Sequence, residues 1–253
     1  MPIHQEVEVK CRVTDLAAFR RRLKKLQARA ILPASSFAIK RARTARSFRI
    51  HEMNFLFDTP DGGLAKHGQL LRIRVESQTN GGTKRGTART PRTDRPAEIL
   101  RRMFTYKGPS FGPNSATKEM QTPISGNAIR NLVPAGRHKV REEIEVEIAN
   151  QAELKHILEA LGMRSWFRYE KFRTRFRFPA STRWAKDLLI ELDETPIGLF
   201  VELEGSPDSI RRAAELLGYT PRDYITQSYL ALHLDQCRVR KLAPCDMLFP
   251  AAK

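Results

Sequence analysis

Residues 6–13 read EVEVKCRV. In an extended chain, alternate side chains point to opposite faces. Glu6, Glu8, Lys10 and Arg12 then share one face, and Val7, Val9, Cys11 and Val13 share the other. The apolar face needs something to pack against. The charged face poses the question, because a strand beside a core lines up two carboxylates, an ammonium and a guanidinium. A solvated outer sheet face is one answer. A face turned into an enclosed lumen is the other.

The pattern recurs along the 253 residues. Arg72 and Arg74 oppose Leu71, Ile73 and Val75. Arg141, Glu143, Glu145 and Glu147 oppose Ile144, Val146 and Ile148. Lys171, Arg173 and Arg175 share a face of the strand starting near Tyr169. Glu191 and Asp193 oppose Ile190 and Leu192, and Glu202 and Glu204 oppose Val201 and Leu203. Between these strands lie helical periodicities. DLAAFRRRLKKLQA (15–28) places Leu16, Phe19, Leu23 and Leu26 on one side. AELKHILEALG (152–162) does the same with Leu154, Ile157, Leu158 and Leu161. A further helix opens at Ser206-Pro207 and closes at Gly218, and DYITQSYLALHLDQ (223–236) reads as a last one. Amphipathic helices need an apolar surface to cover. That favours strands closed into a barrel, with the charges inside and the apolar faces outside.

Such a lumen cannot be dry, since isolated buried charge is costly. Its two signs of charge suggest the filling. Arg and Lys match phosphate oxygens, and Arg offers forked donors. Paired carboxylates match hard divalent cations such as Mg²⁺ or Mn²⁺. Together they describe a metal–polyphosphate site. No GxxxxGK[ST] loop is present, so it is not a P-loop. No nucleophile triad spacing and no HExxH is visible, and the six histidines are scattered, structural or surface residues. Asp58, in the DTPDGG run, shapes a turn.

Composition bounds the rest. Hydrophobic residues are 41%, enough for a sizeable core, and no apolar run approaches the ~20 residues of a membrane span. No secretion pattern opens the chain, so a cytoplasmic location with no membrane partner is expected. Cys11, Cys237 and Cys245 show neither CxxC nor Cys/His spacing. Neither structural disulfides nor a cysteine zinc site is expected, and Cys11 reads as core. The formal net charge is +17, concentrated in two basic insertions, about 36–50 and 78–102. These favour anionic partners.

EVEVK near the N-terminus, FLFDTPDGGLAKHGQLLRIR (55–74), TYKGP (105–109), REEIEVE (141–147), EKFRTRF (170–176), LDETPIGLFVELEG (192–205) and SYLAL (228–232) form an ordered set. It resembles the CYTH superfamily of triphosphate tunnel metalloenzymes, which includes class IV adenylyl cyclases, thiamine triphosphatases and tripolyphosphatases. The resemblance implies an α+β, β-dominated fold: an eight-stranded antiparallel β-barrel tunnel covered outside by helices. It implies a tunnel domain over 1–236 and a tail over 237–253. Glu6, Glu8, Asp193, Glu202 and Glu204 would handle Mg²⁺ or Mn²⁺. Lys10, Arg72, Arg74, Lys107, Lys171 and Arg173 would grip the triphosphate, with Arg141 and Glu143 as additional members. Glu147, Glu191 and Arg175 would balance charge. The family's late lysine has no counterpart before Lys241.

Three functions fit. The first is hydrolysis of the terminal phosphate of tripolyphosphate, ATP or thiamine triphosphate, with Glu143 or metal activating the water. The second is cyclisation of ATP to cyclic AMP and pyrophosphate. The third is non-catalytic binding of polyphosphate, nucleotide or RNA, which the many carboxylates argue against. Nucleic acid is thus a less favoured partner. Oligomeric state is open, a dimer included.

Overall fold

The computed structural model describes residues 5–32, 48–78, 98–110 and 138–250. Most of the two basic insertions lies outside these residues. The strands are β1 (Gln5–Arg12), β2 (Arg29–Ile31), β3 (Arg49–Asp58), β4 (Leu70–Gln78), β5 (Glu98–Lys107), β6 (Lys139–Glu147), β7 (Arg164–Arg177), β8 (Leu189–Thr195) and β9 (Gly198–Glu204). They follow the spatial order β7-β3-β4-β5-β6-β1-β9-β8, and β8 pairs back onto β7. Every pairing is antiparallel. The result is the expected closed eight-stranded barrel, with short β2 added beside β7.

Among the described residues five helices lie outside it: α1 (Leu16–Lys25), α2 (Gly63–Lys66), α3 (Gln151–Ala160), α4 (Pro207–Leu216) and α5 (Tyr229–Val239). The four longer ones each begin at a side-chain cap, Asp15, Asn150, Ser206 or Ser228. Each cap accepts a hydrogen bond from an otherwise unpaired N–H of the first turn. Asp58 does similar work at α2. Its carboxylate accepts from the backbone N–H groups of Thr59, Leu64 and Ala65.

The apolar strand faces point outward, under the helices. Val9, Cys11 and Val13 of the opening stretch join Ile190, Leu192, Val201 and Leu203, covered by Phe19 and Leu23 of α1 and Ile210, Ala213 and Ala214 of α4. Cys11 is fully buried here, and burial pushes its thiol up to about 12. The two helices meet where the Arg22 Nη1 donates to Leu217 O at 2.6 Å, at the end of α4. Gly218 follows with φ +82°, and a Cβ there would lie 2.7 Å from Arg22 Nη1. Glycine is therefore the residue that permits this close approach.

Two helical expectations need correction. On α3, Leu158 is buried and Leu154 packs with it, but Ile157 and Leu161 are exposed. The helix seats one edge of its stripe on β3 and β4. The last helix begins at Ser228, not Asp223. Thr220 and Asp223 close a separate 3₁₀ turn, and Ile225 bonds Lys10 in an isolated bridge. The outer face of β6 is also less covered than the pattern implies, since Ile144 and Val146 are about half exposed. Ile210→Ala should cost ~2–5 kcal/mol in denaturant unfolding, as a buried truncation. Leu161→Ala should stay within ~0.5 kcal/mol.

Candidate functional site

With the apolar faces outside, strand alternation sends the charged faces inward. A cavity of about 270 Å³ runs in the barrel, lined by Glu6, Glu8, Lys10, Arg72, Arg74, Lys107, Arg141, Glu143, Lys171, Arg173, Glu202 and Glu204, among others. All of these were marked from the sequence. Asp193 stands behind the wall. Its carboxylate accepts from Lys171 Nζ at 2.8 Å, Arg173 Nε at 2.6 Å and the Tyr229 hydroxyl at 2.7 Å.

The lumen has two electrostatic characters. On the β3, β4 and β7 side, charges cancel within the protein. Glu52 and Glu76, both fully buried, face Arg175 Nη2 at 3.0 and 3.1 Å. Glu76 also accepts from Arg101 at 2.7 Å. Arg173 bridges Asp193, Glu191 and Glu202. This mutual pairing is what makes so much buried charge tolerable.

Around β1, β6 and β9 compensation is incomplete. Lys107 Nζ lies 2.8 Å from Glu6 and 3.0 Å from Glu143. Lys139 Nζ lies 3.2 Å from Glu8, and Arg141 Nε 3.2 Å from Glu6. Burial alone would raise Glu6, but Lys107 and Arg141 hold its carboxyl well below the usual range. Glu143 pays for that arrangement. Burial, together with the neighbouring Glu6, pushes its carboxyl up to about 7 despite Lys107. Burial likewise brings Lys139 down to about 8.

Glu204 is the least satisfied. Among the described residues no basic group lies within ion-pair distance of it. Burial, with Glu191, Glu6 and Glu143 near, pushes its carboxyl up to about 8. In the ladder it sits directly opposite Glu8. Like charges so placed repel, and a divalent cation between them would reverse the sign of that contact. Glu6, Glu8, Glu202 and Glu204 therefore supply the oxygen donors a hard cation requires. Anion capacity is present as well: Arg72 Nε and Arg175 Nη1 are buried donors with no hydrogen-bond acceptor among the described residues.

The site contains residues the sequence reading did not select. Lys139 shares the face of Arg141 and was legible by the same alternation. Glu52 and Glu76 continue the inward faces of β3 and β4. Tyr229 enters from α5, with Lys10 Nζ 4.1 Å above its ring. No strand pattern announces a side chain that arrives from a helix. Tyr169 hydroxyl accepts from Arg72 at 3.3 Å.

The CYTH domain profile matches residues 4–229. This chain belongs to the CYTH family. Among solved structures it resembles a Vibrio parahaemolyticus protein described as a candidate adenylate cyclase, at 17% identity, covering 90% of this chain and 97% of that one, TM-score 0.56. It also resembles the PH1819 protein of Pyrococcus horikoshii, at 22% identity, covering 91% and 99%, TM-score 0.54. A conserved hypothetical protein of Pyrococcus furiosus follows at 16% identity, covering 90% and 99%, TM-score 0.52. These likenesses show the CYTH fold. No curated protein matches the chain. No helix among the described residues is long and apolar enough to cross a membrane.

The charge imbalance in this CYTH lumen has a pH signature. An acid whose folded pKa lies above its unfolded value takes up a proton on folding. Its stabilisation is present below about 4.5 and lost as pH rises through about 8. In chelator-treated protein, the melting temperature of Glu204→Gln should gain on wild type steadily across that window. A constant offset at every pH would refute the assignment.

Proposed function

We propose that this CYTH chain is a divalent-metal-dependent triphosphatase, releasing the terminal phosphate of tripolyphosphate or an organic triphosphate inside the barrel. One observation carries the reading. Ten basic residues, among them Lys10, Arg72, Arg74, Lys107, Arg141, Lys171 and Arg173, and the carboxylates Glu6, Glu8, Glu143, Glu202 and Glu204 face the same cavity, with Glu143 and Glu204 short of cationic partners. Either set alone would fit a simpler ligand. Both together fit a polyanion accompanied by a cation.

Arg72 and Arg74 come from one strand at alternate positions, so their guanidinium groups lie side by side along the cavity wall. They can hold successive phosphate groups by forked hydrogen bonds. Lys10, Lys107 and Lys171 add point charges. Asp193 acts behind them: by holding Lys171, Arg173 and Tyr229 it fixes where those cations point. Glu6, Glu8, Glu202 and Glu204 would hold Mg²⁺ or Mn²⁺. Bound there, the ion would neutralise phosphate charge and polarise a phosphoryl oxygen. Glu143, with its carboxyl near 7, is suited to accept a proton from an attacking water at neutral pH. Charge developing on the transferred phosphoryl group is then met by donors already in place.

A second reading has its own support. Leu56, Leu70 and Leu230 pack around Tyr229 and line part of the same cavity. Such a wall can take the organic end of a nucleotide, which a cyclase acting on ATP requires.

The test is product identification. Purified protein is incubated with Mg²⁺ or Mn²⁺ and, separately, tripolyphosphate, ATP and thiamine triphosphate. Orthophosphate is the expected product. Cyclic AMP with pyrophosphate would replace the proposal by the second reading. Arg72→Ala and Glu6→Gln should each lower turnover by roughly 100-fold or more, the scale of losing one preorganised charge-stabilising group. Full turnover in both variants would overturn the site.

A further inference from the structure

A second cluster lies outside the barrel lumen. His233 and Cys237 stand one turn apart on α5, and Cys245 comes from the segment after it. Their ligating atoms all lie within 4.8 Å of one another. His233 Nε2 is 3.6 Å from Cys237 Sγ and 4.0 Å from Cys245 Sγ. Zinc–sulfur and zinc–nitrogen bonds of about 2.3 and 2.0 Å at a tetrahedral angle put N and S about 3.5 Å apart. The two N–S separations are thus within about 0.5 Å of a tetrahedral zinc site, and the two sulfurs lie within 4.8 Å of each other.

The placement is built, not incidental. After α5 the chain turns back through Lys241, at φ 55°, and Leu242 N donates to Cys237 O at 2.9 Å. Beyond Cys245, Asp246 accepts from both Arg168 N and Arg168 Nε, at 2.8 and 2.7 Å. Met247 then pairs with β7, donating to Arg168 O and accepting from Glu170 N, each at 3.0 Å. Cys245 is therefore held between two anchors. His233 and Cys237 are buried and Cys245 is exposed, which leaves a route for an ion to enter. His233 Nδ1 is buried with no hydrogen-bond partner among the described residues, and Nε2–H donates to Cys245 O at 2.8 Å.

We propose that His233, Cys237 and Cys245 form a zinc site that clamps α5 to the C-terminal segment and, through it, to β7. Two thiolates and an imidazole select a borderline-soft ion over the hard cations of the lumen. Zn²⁺ replaces the two thiol protons, which leave to solvent. His233 binds through Nε2, giving up its hydrogen bond to Cys245 O as the imidazole proton moves to Nδ1. The fourth position falls to the Cys245 carbonyl or to water. This site was hidden in the sequence. One helical turn separates the first two ligands, but Cys245 becomes their neighbour only through the fold.

Co²⁺ is the probe. Full-length, metal-free protein under a non-thiol reductant is titrated and its near-ultraviolet spectrum recorded. Thiolate-to-cobalt charge-transfer absorption saturating at one ion per chain is expected, with displacement by one equivalent of Zn²⁺. Lumen carboxylates offer only oxygen and give no such band, so Glu8→Gln should retain it. Cys245→Ser, at an exposed position, should cut the band's intensity roughly in half and weaken Zn²⁺ binding by at least ~10-fold. Native mass spectrometry of wild type should show one Zn²⁺ lost when the thiols are alkylated. Absence of the charge-transfer band, its undiminished intensity in Cys245→Ser, or unchanged Zn²⁺ content after alkylation would each overturn the site.

Discussion

Arg173 is where the interior of this barrel is tied together. It leaves β7 and meets Asp193 and Glu191 on β8 and Glu202 on β9, while its Nε also lies 3.8 Å from Glu52 on β3. In a low-dielectric interior none of these groups tolerates being unpaired. Each partner therefore restricts the rotamers of the others, and four strands are locked to one guanidinium. Lys171 and Tyr229 join through Asp193. The cations on the cavity wall are consequently held in position before any ligand arrives, which is the condition for electrostatic catalysis.

The contrast with the β1, β6 and β9 side follows from the same rule. There the protein supplies fewer cations than its carboxylates need. Glu143 and Glu204 absorb the deficit as raised affinity for protons. A structural network would have been completed with another arginine. An incomplete one leaves carboxyls that hold protons until a cation replaces them, beside cations suited to phosphate. That asymmetry, more than the number of charges, distinguishes a site from a filled core.

Much of this was legible in the chain because strand alternation is a period-two signal that survives without any partner. EVEVKCRV placed Glu6, Glu8 and Lys10 on one face, and they do line one cavity. The helix assignments were less complete. The spacing puts Ile157 and Leu161 on one stripe of α3 with Leu154 and Leu158, yet which edge of a stripe seats is decided by the surface beneath it. The sequence pattern from Asp223 does not mark the start of α5 at Tyr229 for a similar reason: Pro221, Asp223 and the Ile225 bridge to Lys10 settle it through tertiary contacts. Tyr229 and Asp193 illustrate a deeper limit. Their roles arise from a contact between residues 36 positions apart, and no local pattern encodes it.

The closing pair β7–β8 also governs traffic. A barrel sealed all round by backbone hydrogen bonds has no side door, since opening one would sever a whole ladder. On the proposed function, reactant and product travel along the axis, end-on, past the same row of arginines and lysines. For a linear phosphate chain this means threading, and length becomes a selectable property: a chain too short leaves cations unmet, and a bulky end group has to remain outside or settle at an apolar wall.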